Sequence, residues 1–341
     1  MRRHGNLWDI ITSLDNLHAA YKKAILGKSK MRSIQKFKQD IEGNIQAIQT
    51  SLIKKTFTTS SYSEKMVYEP KQRLIYALPF NPDRIVQHAL MNVIQPIWEG
   101  LFIFDSYACR TGKGIHSGST RAMQFVRRNK YCLKCDISKF YPSVDHDILF
   151  QIIQKKIKCK DTLWLIENII RSFPGGKNVP IGNYTSQWFG NLYLNELDQY
   201  VKINLQKYYG HIDYIRYCDD FCLFHNDKKV LHFCAKLIKE YIQSRLLLRF
   251  SKCNVFPVKQ GVDFLGYRHF NNYILLRKST AKRVRRRLEK LPKQYAAGKI
   301  TAEQYRSSVG STWGWLKHAN SHNLLITLKY HELMKEVKKL A

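Results

Sequence analysis

What the chain lacks narrows the field. No apolar run reaches the roughly 18 residues of a membrane-spanning helix. The start, Met1-Arg2-Arg3-His4-Gly5-Asn6-Leu7-Trp8-Asp9, has no apolar core of the sort a signal peptide needs, so a cytoplasmic protein with no membrane partner is expected. The 8 cysteines are scattered, and Cys132, Cys135, Cys218 and Cys222 lie in apolar, strand-like stretches where reduced thiols pack as small hydrophobes. That distribution argues against a disulfide framework. Cys132 and Cys135 form a lone CxxC with no second pair and no histidines at ligand spacing, which argues against structural zinc. No internal repeat or low-complexity linker interrupts the chain.

Acid is also in short supply. Against 57 Lys plus Arg stand 26 Asp plus Glu, a formal net charge of +31. A field of that sign attracts polyanions, and nucleic acid becomes the favoured partner. A length of 341 residues with 44% hydrophobic content allows two or three packed subdomains and argues against disorder.

Apolar residues of 7–25 recur at spacings of three and four, the pattern of an amphipathic helix, and a basic stretch follows at Lys28 to Lys38. Met66-Val67-Tyr68 and Arg73-Leu74-Ile75-Tyr76-Ala77 flank Glu69-Pro70-Lys71-Gln72, which predicts a hairpin with a positive tip. Helical spacing returns at Arg84 to Ile97. Tyr131 to Cys135 reads as a buried strand ending at Asp136, with helices beyond it at Asp147 to Ile157 and Leu163 to Ile170. Ile212 to Tyr217 and Phe221 to His225 read as a hairpin with Cys218-Asp219-Asp220 near its tip, and Leu231 to Leu247 as a helix. From Arg277 the composition turns very basic. Ser279 or Thr280 is placed to cap a helix through Lys282 to Leu288, Thr301-Ala302-Glu303-Gln304 fits a capping box, and Leu324 to Leu340 offers a third helix.

Chemistry enters with the acids. Asp219 and Asp220 side by side would repel each other unless a cation neutralised them. A bare Asp-rich β-turn explains the pair equally well until the surroundings are weighed. Asp136 ends a second apolar strand, and placing the two elements together would gather three hard carboxylates. Such a set suits two Mg²⁺ ions, which activate an attacking 3′-hydroxyl and stabilise leaving pyrophosphate in phosphoryl transfer.

At these residues the chain resembles reverse transcriptases. Tyr217-Cys218-Asp219-Asp220 is similar to their YxDD box, and Asp136-Ile137-Ser138-Lys139-Phe140-Tyr141 to their first catalytic palm motif. Arg73 to Pro79 and Asp105 to Gly114 resemble the two fingers motifs, and Asp263-Phe264-Leu265-Gly266-Tyr267 the primer-grip region, so the likeness runs over roughly residues 65–330 in order. It implies an α+β right-hand polymerase fold: an N-terminal helix and fingers over 1–130, a palm over 131–270 with 148–190 partly fingers, and a helical, basic thumb over 271–341. In Val179-Pro180-Ile181-Gly182-Asn183-Tyr184-Thr185-Ser186-Gln187, Ile181 and Gln187 stand where most lineages have Gln and Pro. With Trp313-Gly314-Trp315-Leu316-Lys317-His318-Ala319-Asn320, that pattern resembles the enzymes of diversity-generating retroelements of bacteria and phages; the alternatives are another prokaryotic reverse transcriptase, of a retron, group II-like or phage-defence type, or a non-catalytic nucleic-acid-binding protein with a polymerase fold.

The resemblance also implies roles. Asp136 and Asp219, with the Ile137 carbonyl, would bind two Mg²⁺ ions, and Asp220 would complete the cluster. Tyr141 would stack under the incoming sugar and exclude a 2′-hydroxyl. Arg73, Arg110 and Lys113 would meet the triphosphate, Lys252 would protonate pyrophosphate, and Ile181 and Gly182 would abut the nucleotide or templating base. Arg283, Arg286 and Arg287 would track the backbone of an RNA and DNA duplex. The implied partners are template RNA, the cDNA/RNA hybrid, dNTPs and a small basic accessory protein. The implied outcome is cDNA mutated at template adenines that diversifies a target gene. No RNase H segment is recognisable after the expected thumb.

Overall fold

The computed structural model describes residues 3–68 and 72–340. Strands β1 (Ser63–Val67) and β2 (Arg73–Ala77) pair antiparallel, with Lys65 opposite Ile75. This is the predicted hairpin; its predicted positive tip lies outside the described residues. Strands β3 (Tyr131–Ile137), β4 (Asp213–Tyr217), β5 (Asp220–His225) and β6 (Phe250–Pro257) form one antiparallel sheet in the order β4-β5-β3-β6. Strands β7 (Val262–Phe264), β8 (Tyr267–His269) and β9 (Ile274–Leu276) form a small meander. Leu265 at φ 56 and Gly266 at φ 85 link β7 to β8, and two successive left-handed residues match the right-handed twist of a tight hairpin.

Alternation along the central sheet separates two cores. Leu133, Cys135, Ile137, Phe221 and Leu223 face the helices, including Tyr184–Gln199 and Lys228–Arg245. Cys132, Cys222 and Phe224 face the other way, onto Phe125 and Val126 of helix Ile115–Arg128 and onto Phe264. Each such large apolar side chain contributes about 1.5–3 kcal/mol on burial, so a register slip of one residue would expose both sets. The first core also takes in Leu17, Ile48 and Leu90 from the N-terminal helices, so residues before and after 130 pack as one body. Residues 284–337 close a third core of their own around Leu288, Tyr305, Val309 and Tyr330.

Several predicted helices differ in detail. The helix expected over 7–25 is two, Trp8–Thr12 and Leu14–Ala24, because Ser13 is extended (ψ 143) and accepts from the Asn16 backbone N–H. The basic helix is Lys278–Ala296 and neither Ser279 nor Thr280 caps it. Arg277 occupies the cap position and donates its N–H to the Gly266 carbonyl at 2.9 Å, while Thr280 is buried in the first turn. The capping box at Thr301 and Gln304 forms in both directions. The last predicted helix is split into His322–Thr327 and Tyr330–Lys339, with Lys329 left-handed at φ 47. Several helices had no sequence prediction, among them Arg32–Lys38, Ile41–Ile53, Ile115–Arg128 and Tyr184–Gln199.

Candidate active site

The tip of the central sheet carries the acids. Asp136 on β3 lies directly opposite Asp220 on β5 and Lys252 on β6. Residues opposite one another in an antiparallel ladder project from the same face, so these three side chains share one surface. The β3–β6 register shifts between Asp136 and Ile137, which bends the strand end just past the carboxylate. Only Cys218 and Asp219 connect β4 to β5, and Cys218 takes the left-handed φ of 53. That tight turn sets Asp219 immediately before the paired Asp220.

Beneath the turn lies a fully buried ion pair. Arg216 and Asp198 have side chains 0% exposed and meet in a fork, Nε to Oδ1 at 2.7 Å and Nη2 to Oδ2 at 2.5 Å. The Tyr214 hydroxyl donates to the same carboxylate at 2.7 Å, and Arg216 Nη1 donates to the Cys218 carbonyl at 3.2 Å. Burial opposes the Arg216 charge, but Asp198 outweighs it and holds the guanidinium above its ordinary pKa. The carbonyl of the strained turn residue is therefore fixed by a group that stays charged.

The backbone brings the three acids to one corner, where the side chains of Asp136 and Asp220 take separate partners. The Ser251 hydroxyl donates to Asp136 Oδ2, and Lys134 Nζ lies 2.9 Å from Asp220 Oδ1 and donates to Oδ2 at 3.1 Å. Accordingly, among the described residues no three carboxylate, imidazole or thiol groups stand close enough together to hold a metal ion. The donor chemistry nevertheless fits a hard cation. Asp220 Oδ1 is buried and makes no hydrogen bond beyond its ion-pair contact with the Lys134 ammonium. Burial pushes the Asp220 carboxyl up to about 6, with Lys134 opposing the rise and Asp136 adding to it.

The other predicted residues divide. Tyr141 packs its ring on the Gly190 position of helix Tyr184–Gln199, where a Cβ would sit 3.1 Å from Tyr141 Cε1. Burial, then the nearby Cys218, Cys109 and Asp219, raises its phenol, so it is a neutral aromatic beside the Cys218–Asp219 turn. Ile181 accepts from the Tyr76 N–H at 2.9 Å, strapping its loop to β2. Gly182, at φ 128, is required there because a Cβ would land on the Tyr76 carbonyl oxygen. Ile137 buries its side chain at 2% exposure and can offer only backbone. Arg73 is exposed at the start of β2, and Lys252 is exposed beside Asp136.

Arg110 is placed differently from the expectation of a triphosphate ligand. Its guanidinium donates to Glu99 at 2.8 Å and to the carbonyls of Ile103 and Ser106 at 2.7 and 3.0 Å, so it is spent on holding its own loop. Lys113 donates to the Phe104 carbonyl at 2.9 Å and lies 3.5 Å from the centre of that ring. Arg283, Arg286 and Arg287 are exposed, and helical spacing sets them on one stripe beside the buried Val284 and Leu288.

With this geometry the chain can be set beside known proteins. The profile of the family described as reverse transcriptase (RNA-dependent DNA polymerase) matches residues 53–269. The chain belongs to that family. Among curated proteins, this reverse transcriptase is 25% identical over 252 residues to Protein YkfC of Escherichia coli, covering 60% of this chain and 66% of YkfC. It is 23% identical over 188 residues to the group II intron-encoded protein LtrA of Lactococcus lactis subsp. cremoris, covering 51% of this chain and 30% of LtrA. It is 28% identical over 97 residues to nuclear intron maturase 1, mitochondrial, of Arabidopsis thaliana, covering 27% of this chain and 13% of that protein. The chain thus spans under two thirds of each relative. No helix among the described residues is long and apolar enough to cross a membrane.

Sequence reading missed Lys134, Asp198, Arg216 and Ser251. For two of them a signal existed: Lys134 and Arg216 are charged residues inside otherwise apolar strands. Alternation also puts Lys134 on the face of Asp136, two positions on.

Proposed function

We propose that this reverse transcriptase copies an RNA template into DNA at the tip of the central sheet. The observation that carries the reading is the cross-strand pairing of Asp136 with Asp220, with Asp219 in the adjoining two-residue turn. Asp136, Asp219 and Asp220, with the Ile137 carbonyl, would hold two Mg²⁺ ions, which when bound polarise the reacting phosphate and lower the pKa of the attacking hydroxyl. Tyr141 supplies a flat neutral ring under the nucleotide sugar, and Ile181 with Gly182 forms the opposing wall. Arg73, with Lys113 if it leaves the Phe104 carbonyl, supplies charge for the triphosphate. Lys252, on the same face as Asp136, is the candidate donor to pyrophosphate. The exposed arginine stripe of Lys278–Ala296 binds the phosphates of template RNA and the cDNA/RNA hybrid. We assign 1–130 to the N-terminal helix and fingers, 131–270 to the palm and 271–341 to the thumb.

Within that activity, the aliphatic Ile181 favours the mutagenic, diversity-generating reading. A glutamine amide at this place could hydrogen-bond the sugar or the minor groove, whereas an isobutyl-sized group selects by shape alone. Looser selection would allow misincorporation opposite adenine, and a small basic accessory protein would join the complex. A second reading, an intron-type reverse transcriptase, is favoured by the similarity to LtrA.

Sequencing cDNA made from a defined RNA with Mg²⁺ tests both. Synthesis that Asp219→Asn abolishes, with errors concentrated at template adenines and reduced by Ile181→Gln, supports the mutagenic reading. Accurate synthesis unchanged by Ile181→Gln supports the intron-type one, and no synthesis removes the polymerase proposal.

A further inference from the structure

Lys134 has no place in the chemistry above, yet it lies at the centre of a chain of contacts that starts in the acidic cluster. It stands two residues before Asp136 on β3, on the same face, diagonal to Asp220 on β5. Its ammonium touches both Asp220 oxygens, at 2.9 and 3.1 Å, and donates to the backbone carbonyl of Asp263 at the end of the small meander. It also lies 5.4 Å from the centre of the Phe264 ring. The Asp263 carboxylate pairs with Arg277, the cap residue of the basic helix Lys278–Ala296. Four charged side chains therefore link the catalytic hairpin, the β7–β8 turn and the base of the C-terminal helical unit.

A cation held at this place does two things at once. It fixes the direction of the Asp220 carboxylate, which otherwise has one buried oxygen with no hydrogen-bond donor. It also offsets the mutual repulsion of three acids when no other cation is near. A lysine serves because its compact ammonium reaches a carboxylate and a carbonyl together.

We propose that Lys134 is a positioning residue for the polymerase reaction, orienting Asp220 within the acidic cluster and tying that orientation to the meander and the basic helix. The inference rests on the reading of Asp136, Asp219 and Asp220 as the catalytic acids. Removing the ammonium should have two opposed effects. Asp220 loses its orientation, so turnover falls, while the cluster loses a neighbouring positive charge, so it binds divalent cations more tightly. A residue that only stabilised the fold would not produce that combination.

The test compares the full chain with Lys134→Met, which keeps most of the side-chain length and removes the charge, and with Lys134→Arg, which keeps the charge. Steady-state extension on an RNA template should show kcat lower by about 10–100-fold in Lys134→Met, the range for outer partners of metal ligands, with KM for dNTP changed less than threefold. Calorimetric titration of the protein with Mg²⁺ alone should show tighter binding by threefold or more. Lys134→Arg should recover most of kcat. In an Asp220→Asn background, Lys134→Met should add little further loss. Wild-type kcat and Mg²⁺ affinity in Lys134→Met would overturn the inference, as would weaker Mg²⁺ binding, and as would a full additional loss on top of Asp220→Asn. If Lys134→Met does not fold, Lys134→Arg decides: a folded Arg variant with kcat lower by about 10-fold or more refutes a role carried by the charge, and near wild-type kcat with unchanged Mg²⁺ affinity supports it. An inactive wild-type chain, or an active Asp219→Asn variant, would instead defeat the underlying assignment of the acids.

Discussion

The β4–β5 hairpin and the C-terminal helical unit both present charge, and they hold it in opposite ways. Around Cys218 and Asp219 the chain is over-determined: a two-residue turn, a left-handed non-glycine and a buried Arg216–Asp198 fork fix one carbonyl from below. On the helix Lys278–Ala296 the arginines are exposed, and only Arg285 has an ion-pair partner within the helix, Glu289 at 2.9 Å. Phosphoryl transfer needs atoms held to fractions of an ångström, whereas binding a duplex backbone needs only summed charge. Changes at the hairpin should therefore act sharply and singly, and changes on the helix gradually and additively.

The comparison breaks most visibly at Asp219. Asp219→Asn removes a single charge with no loss of volume, and primer extension should fall by roughly a thousandfold or more, on the scale of losing a main electrostatic element of a transition state. Circular dichroism and thermal unfolding should match the parent protein. Residual activity within tenfold of wild type would show that the hairpin is not the chemical centre.

The next largest effect is on stability. Arg216→Leu leaves the Asp198 carboxylate buried without its partner, and chemical denaturation should register a loss of about 3–5 kcal/mol. A variant within 1 kcal/mol of wild type would mean that the turn is held some other way.

A pH measurement sharpens the contrast at the joint between the regions. His269 is fully buried on β8, where it is bonded to Ser119 Oγ at 2.7 Å and to the Val262 carbonyl at 3.1 Å. Burial, with His318 nearby, lowers its pKa from 6.5 to about 4. The fold therefore favours neutral imidazole. Its stabilising contribution is complete above about pH 6.5 and is lost as pH falls towards 4, by about 3 kcal/mol in all. Unfolding free energies measured across this window should drop, and His269→Gln should flatten the drop.

The smallest single effects belong to the arginine stripe. Replacing Arg283, Arg286 and Arg287 by Gln should leave stability within about 0.5 kcal/mol. It should reduce the slope of log affinity against log salt by roughly 0.7–0.9 per arginine lost, measured by fluorescence anisotropy on an RNA and DNA hybrid. One arginine accounting for the whole effect would contradict the additive picture.

Much of this arrangement was legible in the residues. Alternation and turn chemistry located β1, β2, the strands that carry Asp136 and Asp220, and the turn that holds Asp219. The motif order pointed to the family whose profile matches residues 53–269. Helices such as Lys228–Arg245 were legible from an apolar stripe, Tyr184–Gln199 was missed because burial all round blurs its stripe, and the amphipathic Ile115–Arg128 went unread. Interruptions at Ser13 and Lys329 went unread because a single backbone angle breaks a helix without disturbing its hydrophobic spacing.

The sequence by itself determined which side chains share a face and which strand ends in an acid, because both follow from the two-residue period of a strand and the composition of its neighbours. Only the tertiary structure decided that Arg110 is committed to Glu99 and two carbonyls, that Asp220 answers to Lys134, and that Arg216 holds the Cys218 carbonyl. Lys134 and Asp220 are 86 positions apart, and even the short reach of Arg216 to the Cys218 carbonyl depends on its fork to Asp198; a charged group's role is set by whichever opposite charge or carbonyl the fold brings within about 3 Å.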